Sequence, residues 1–175
     1  QNCIHGDLKP ENILMFSQSG SNAILQIADL GLAAFHIEAH TNMRVASGVG
    51  SGTSRYKPPE METMSPTVSR GRAYDIWSMG CILLEFLVWL TSGYDGLRKF
   101  QGSTTYFWDL SRRGTIFHPT VELYLELAEP NLASSSVLSD LLLLVKNQVL
   151  VRKGARLGAK DLRKNIQGIR DKCIG

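Results

Sequence analysis

Between His5 and Asn12 the chain gathers an imidazole, a carboxylate, an ammonium and a carboxamide in one octet, His5-Gly6-Asp7-Leu8-Lys9-Pro10-Glu11-Asn12. Pro10 fixes its own φ and disfavours the helical region for Lys9, so these groups are expected on an irregular turn. Asp7 can orient a hydroxyl, Lys9 can neutralise phosphate charge, and Asn12 can offer an oxygen to magnesium. That combination suits phosphoryl transfer, where positioning and electrostatics supply most of the catalysis.

The octet resembles the catalytic loop of eukaryotic protein kinases, His-Arg-Asp-Leu followed by four residues and Asn, with Gly6 where Arg is usual. Three further motifs follow in that family's order: Asp29-Leu30-Gly31, Pro58-Pro59-Glu60 and Asp75-Ile76-Trp77-Ser78-Met79-Gly80. Four ordered matches make chance a poor explanation. The resemblance is strong from about His5 to Leu90 and weaker beyond.

The resemblance implies a serine/threonine protein kinase that transfers the ATP γ-phosphate to protein hydroxyls with Mg2+. It makes Asp7 the catalytic base or hydroxyl-orienting group. Lys9 would steady the transferring phosphoryl, and Asn12 and Asp29 would ligate the metal and so hold the nucleotide. Thr53 would hydrogen-bond Asp7 and Lys9. Asp75 would hydrogen-bond the backbone of the octet, and Glu60 would pair with a distant Arg, for which Arg156 lies in the right region. The bland reading of Glu60 and Asp75 is a carboxylate at a helix start, favoured by the macrodipole; that of Asp29 is a turn aspartate. In relatives with Arg before the catalytic Asp, that Arg pairs with a phosphorylated activation segment. Gly6 has no side chain for this, so activity is expected without phosphorylation of Thr41, Ser47, Ser51 or Ser54.

Composition narrows the alternatives. The chain has 175 residues, 43% hydrophobic and 20% charged, which is ordinary for one domain with a sizeable core. A net charge of +3 is mild, and the basic stretch from Arg152 to Lys172 is interleaved with Asp161, Asp171 and spaced apolar residues. It reads as a solvated helix face rather than a nucleic-acid surface. Cys3, Cys81 and Cys173 are too far apart for a zinc site and are expected as free thiols. The longest apolar run, Met79 to Leu90, contains Glu85 and is too short to span a bilayer, so a buried core helix is expected and no membrane. The N-terminus lacks signal-peptide architecture. An intracellular location, cytoplasmic or nuclear, follows as an expectation.

These groups need elements to hold them. Runs at 13–15 and 24–27 flank a Ser/Gly/Asn turn and predict a β-hairpin with the octet at one end and Asp29 at the other. Residues 33–55 are polar and irregular. Residues 73–90 are apolar on nearly every side and predict a central helix, with Gly80 permitting close packing. Further helices are expected over 121–127, over 137–151 behind N-caps at 134–136, and around Leu162, Ile166 and Ile169. The basic-aromatic stretch 93–119 is expected to form a substrate-side helix and loops. The expected fold is mainly α with a small β-hairpin, a kinase-like helical lobe truncated on its N-terminal side and occupying residues 1–175. No Gly-rich loop and strand lysine occur in the sequence, so catalysis would need a nucleotide-binding lobe from elsewhere. Alone, the chain is expected to be inactive; the alternative is a non-catalytic, kinase-like interaction module.

Overall fold

The structure, a computed structural model, describes residues 2–17, 23–36, 54–63, 71–113 and 116–174. Strands β1 (Asn2–Ile4), β2 (Ile13–Phe16), β3 (Ile24–Ile27) and β4 (Ala34–His36) form two antiparallel pairs. The β2–β3 hairpin pairs Ile13 with Ile27 and Phe16 with Ile24. It forms where the two apolar runs predict it, one residue longer in β2. The β1–β4 pair, Cys3 opposite Phe35, lies partly in the stretch expected to be irregular. Three-residue strands that pair across thirty residues leave no local pattern to read.

The remaining elements are α1 (Glu60–Thr63), α2 (Arg72–Ser103), α3 (Pro119–Leu132), α4 (Ser136–Leu144) and α5 (Ala159–Ile174). The chain is mainly helical with small antiparallel sheets, as expected. Helix α2 is the axis of the fold. Trp77, Cys81, Leu84, Leu87 and Val88 on it are at most 1% exposed, and each such large apolar side chain gains about 1.5–3 kcal/mol from burial. They pack with Tyr56, Phe100, Phe107, Val121, Leu125 and Leu142 into one core. A Cβ on Gly80 would lie 2.6 Å from Val149 Cγ1, so the glycine sets how closely α2 meets the segment after α4.

Helix α2 runs further than the apolar pattern predicts. Gly93 breaks it with φ 67° and ψ −172°, so it is two helices that meet at a glycine. Among the described residues, α2 alone is long and apolar enough to cross a membrane by length and composition, and half of its apolar window is buried inside the fold. Ser135 caps α4 by accepting from the Leu138 amide at 3.4 Å, and α4 passes into a π turn over Val145–Val149. Leu162 on α5 is buried against Ile76, Leu144 and Val149, and Ile166 and Ile169 pack beside it.

Candidate active site

The octet is held from below by α2. Asp75, in the first turn of that helix, accepts from the His5 amide (Oδ2, 2.8 Å) and from the Gly6 amide (Oδ1, 2.9 Å). One carboxylate thus satisfies two consecutive backbone donors and fixes the loop's direction. Gly6 has φ 81°, the left-handed region, where a Cβ would add strain. The glycine that departs from the family motif therefore suits the backbone it occupies.

His5 is a strut inside the loop. The Asp7 amide donates to His5 Nδ1 at 3.3 Å, so Nε2 carries the hydrogen and donates to Ala28 O at 2.9 Å. Ala28 precedes Asp29, so the imidazole links the octet to the far end of the hairpin. A second link runs from the Ala28 amide to Asn12 O at 2.8 Å. Pro10–Asn12 form a 3-10 turn, more regular than expected, entered from Lys9 in an extended conformation. Proline starts it without loss, because the first amides of a helix have no internal partner.

The reactive groups converge on Asp7. Lys9 Nζ lies 2.9 Å from Asp7 Oδ2. This hydrogen bond raises the lysine's pKa above its usual value; burial opposes the rise, and the charges of Asp7, Glu11 and Asp29 add to it. Lys9 therefore stays cationic through the neutral range. Asn12 is buried and donates from Nδ2 to Asp7 O at 2.9 Å. The bond fixes the carboxamide and leaves Oδ1 as an oxygen ligand. Asp29 is the one non-glycine residue with positive φ among the described residues, at 62°. Its Oδ1 accepts from the Gly31 amide at 3.2 Å, and the carboxylate is otherwise exposed.

A carboxylate and a carboxamide oxygen form a hard donor set that fits Mg2+, which takes few protein ligands and completes its shell with phosphate oxygens and water. No group of three His, Cys, Asp or Glu side chains suited to a metal occurs among the described residues. Asp7, Lys9 and Asn12 are thus brought together, and Asp29 lies close enough to Lys9 to influence its charge. Thr53, and with it Thr41, Ser47 and Ser51, falls outside the described residues.

Downstream, residues 54–60 are fastened to α2 at three points. Ser78 Oγ donates to Tyr56 O at 2.9 Å. Glu85 takes Arg55 Nε at 2.8 Å on Oε1, and Tyr56 Oη at 2.9 Å and Gln101 Nε2 at 3.3 Å on Oε2. Arg156 holds Glu60 with two bonds, 2.6 and 3.0 Å, and also donates to Ala73 O at 2.8 Å and to Val151 O. The side chain of Arg156 is fully buried, and its guanidinium stacks over Trp77 at 4.9 Å. The Glu60–Arg156 pair is the one the sequence pointed to. The Arg55–Glu85 pair was not foreseen. Its signal is Glu85 itself, the one carboxylate within the apolar run from Met79 to Leu90, which must find a cation or donors to be buried.

Comparison with known proteins agrees with the geometry. The family model for the protein kinase domain matches residues 1–165. The chain is 36% identical over 85 residues to serine/threonine-protein kinase ksp1 of Schizosaccharomyces pombe, covering 47% of this chain and 16% of that protein. It is 33% identical over 96 residues to serine/threonine-protein kinase nekl-2 of Caenorhabditis elegans, covering 55% and 24%. With human cyclin-dependent kinase-like 4 it shares 36% over 88 residues, covering 49% and 20%. The chain thus spans a quarter or less of the length of these curated relatives. With a loop that ties a carboxylate, a lysine and an asparagine together and a family match over nearly all its length, the chain belongs to the protein kinase domain family.

Proposed function

We propose that the chain supplies the metal-binding and substrate-side part of a serine/threonine protein kinase, which moves the γ-phosphate of ATP to protein hydroxyls. The observation that carries this reading is the Asp7–Lys9 pair at 2.9 Å, on a loop whose Asn12 reaches back to Asp7. Asp7 orients the acceptor hydroxyl and takes its proton as the oxygen attacks. Lys9, held cationic, offsets the charge on the phosphoryl oxygens. Its place two residues after Asp7 favours serine and threonine over tyrosine, by the family resemblance. Asn12 Oδ1 and the Asp29 carboxylate would hold Mg2+. The chemistry such an ion would supply is neutralisation of charge on the ATP phosphates. By the family resemblance, Thr53 would hydrogen-bond Asp7 and Lys9.

The Gly-rich loop and strand lysine that cover ATP in this family are not among the 175 residues. Transfer therefore belongs to a protein in which those elements stand beside this chain, with residues 1–175 as part of its kinase domain. An intracellular setting goes with ATP as substrate and with three free cysteines.

The test uses a protein carrying the nucleotide-binding elements, labelled ATP, magnesium and a protein substrate. Asp29→Ala should abolish transfer, and Asp7→Asn should lower it about 10²–10⁴-fold, the range of a lost general base. Circular dichroism should show both variants folded. Substantial turnover by a folded Asp29→Ala protein would overturn the metal assignment. Undiminished turnover by Asp7→Asn would remove Asp7 from the chemistry.

A further inference from the structure

Helices α4 and α5 lie antiparallel. Lys172 meets Asp140 at one end, and the Leu157 amide donates to Gln148 O near the other. Between them is an open groove with a volume of about 580 Å³. Its lining includes no residue of the reactive loop or of the stretch 54–60.

The middle of the groove is apolar. Leu143 is 47% exposed there, beside half-buried Ile169 and over buried Leu144. Gly168 stands among them, inside α5 and with no positive φ. A glycine inside a helix costs stability relative to alanine. An added Cβ at this glycine would meet no atom within 4 Å, so no contact within the fold requires the side chain to be missing. What its absence leaves is room for another backbone to come close.

The rim sets the charge. Lys172 is matched by Asp140 at 2.6 Å. Asp161 sits in the first turn of α5, where the macrodipole favours a carboxylate. Lys164, one turn before Gly168, is exposed and in no ion pair among the described residues. Lys160 and Arg163, next to it on α5, are exposed and unpaired in the same sense. Asn147 and Gln148 complete this end with exposed amides, carried on the π turn that follows α4. Such turns concentrate at functional sites.

We propose that this groove docks an acidic, amphipathic helix of a partner protein. The proposal is independent of the phosphoryl-transfer reading. A pair of packed helices presents the ridges and grooves that a third helix fits. An apolar side chain of the partner lies over Leu143 and Gly168. A carboxylate one helical turn away, about 6 Å along the axis, meets Lys164. A second copy of this chain fits worse. An antiparallel contact of two α5 helices through Gly168 would set Lys164 of one copy opposite Lys172 of the other, a meeting of like charges. An anionic membrane also fits worse, because the apolar side chains here line the groove and do not stand beside Lys160 and Arg163 to insert.

The experiment uses the full-length protein and fluorescent helix-forming peptides, with binding read by anisotropy. The reference peptide carries one Leu with Glu a turn to either side. Its variants replace the Leu by Ser or both Glu by Lys. The reference should bind roughly tenfold or more tightly than either variant. Gly168→Leu fills the groove with a better helix former. It should weaken the reference peptide about tenfold and leave the melting temperature unchanged or raised. Lys164→Glu should remove the preference for Glu over Lys. Equal affinities for the three peptides, or affinities unmoved by both substitutions, would overturn the proposal. Phosphatidylserine vesicles that bind more tightly than the reference peptide and are released by Lys164→Glu would overturn it in favour of a membrane. A dimer that Gly168→Leu dissociates would overturn it in favour of a second copy.

Discussion

At the scale of single residues, Tyr56 shows how the environment sets chemistry. Burial first, then the charge of Glu85 and the hydrogen bond to it, push its hydroxyl well above the usual pKa of about 10. The folded state therefore favours the neutral phenol. The stability this gives is complete below pH 10 or so, where the unfolded tyrosine is also neutral. It is lost as pH rises from there toward the folded value, because unfolding then releases a proton. The wild-type melting temperature should fall more steeply above about pH 10 than that of Tyr56→Phe, which has no proton to lose there. Parallel slopes in thermal melts would show that the fold does not hold this hydroxyl neutral above about pH 10. Much of the residue-level picture was legible in the sequence. Asp7, Lys9, Asn12, Asp29 and Asp75 announce themselves through the family motifs they resemble, and the structure brings Asp7, Lys9 and Asn12 together and sets Asp75 under the loop. Arg55 and Glu85 do not, because a pair formed across thirty residues has no spacing rule, and only the cost of a buried carboxylate hints at it.

At the scale of elements, ion pairs of similar length differ in worth. Arg156 and Lys172 both sit 2.6 Å from a carboxylate oxygen, of Glu60 and Asp140 respectively. Arg156 is fully buried and bonded to two further carbonyls, whereas Lys172 is 59% exposed. Arg156→Ala leaves Glu60 and those carbonyls uncompensated and should cost about 3–5 kcal/mol. Lys172→Ala should cost under about 1 kcal/mol, since water screens that pair. Denaturant melts of both variants check the contrast; equal losses would mean that burial is not what separates them. The sequence anticipated the helices from their apolar spacing and the hairpin from its turn. It placed a helix within 93–119 but neither its bounds nor its junction with the apolar helix at Gly93, because three glycines and several charged residues leave no apolar period there. The β1–β4 pair also escaped, because its pairing is set by tertiary contact.

At the scale of the molecule, apolar surface is unevenly covered. Large apolar side chains are exposed at places along the helices, whereas Leu14, Met15, Phe16, Ile24, Leu25, Ile27 and Leu30 around the hairpin are all exposed. Both faces of that hairpin meet solvent, and an apolar patch of this kind drives association. Residues 1–175 prepared alone should self-associate, and Met15→Lys with Leu25→Lys should shift the population toward monomer. Light scattering after gel filtration measures this; a monodisperse monomer without the substitutions would contradict it. The attachment of the reactive loop to Asp75 has one more outcome, visible to hydrogen exchange. The His5 and Gly6 amides belong to a loop, and loop amides ordinarily exchange by small local openings. Theirs end on a carboxylate rooted in the most buried helix of the fold. Their protons should therefore persist in deuterated solvent about as long as the slow amides in the centre of α2, making this part of the loop kinetically a piece of the core.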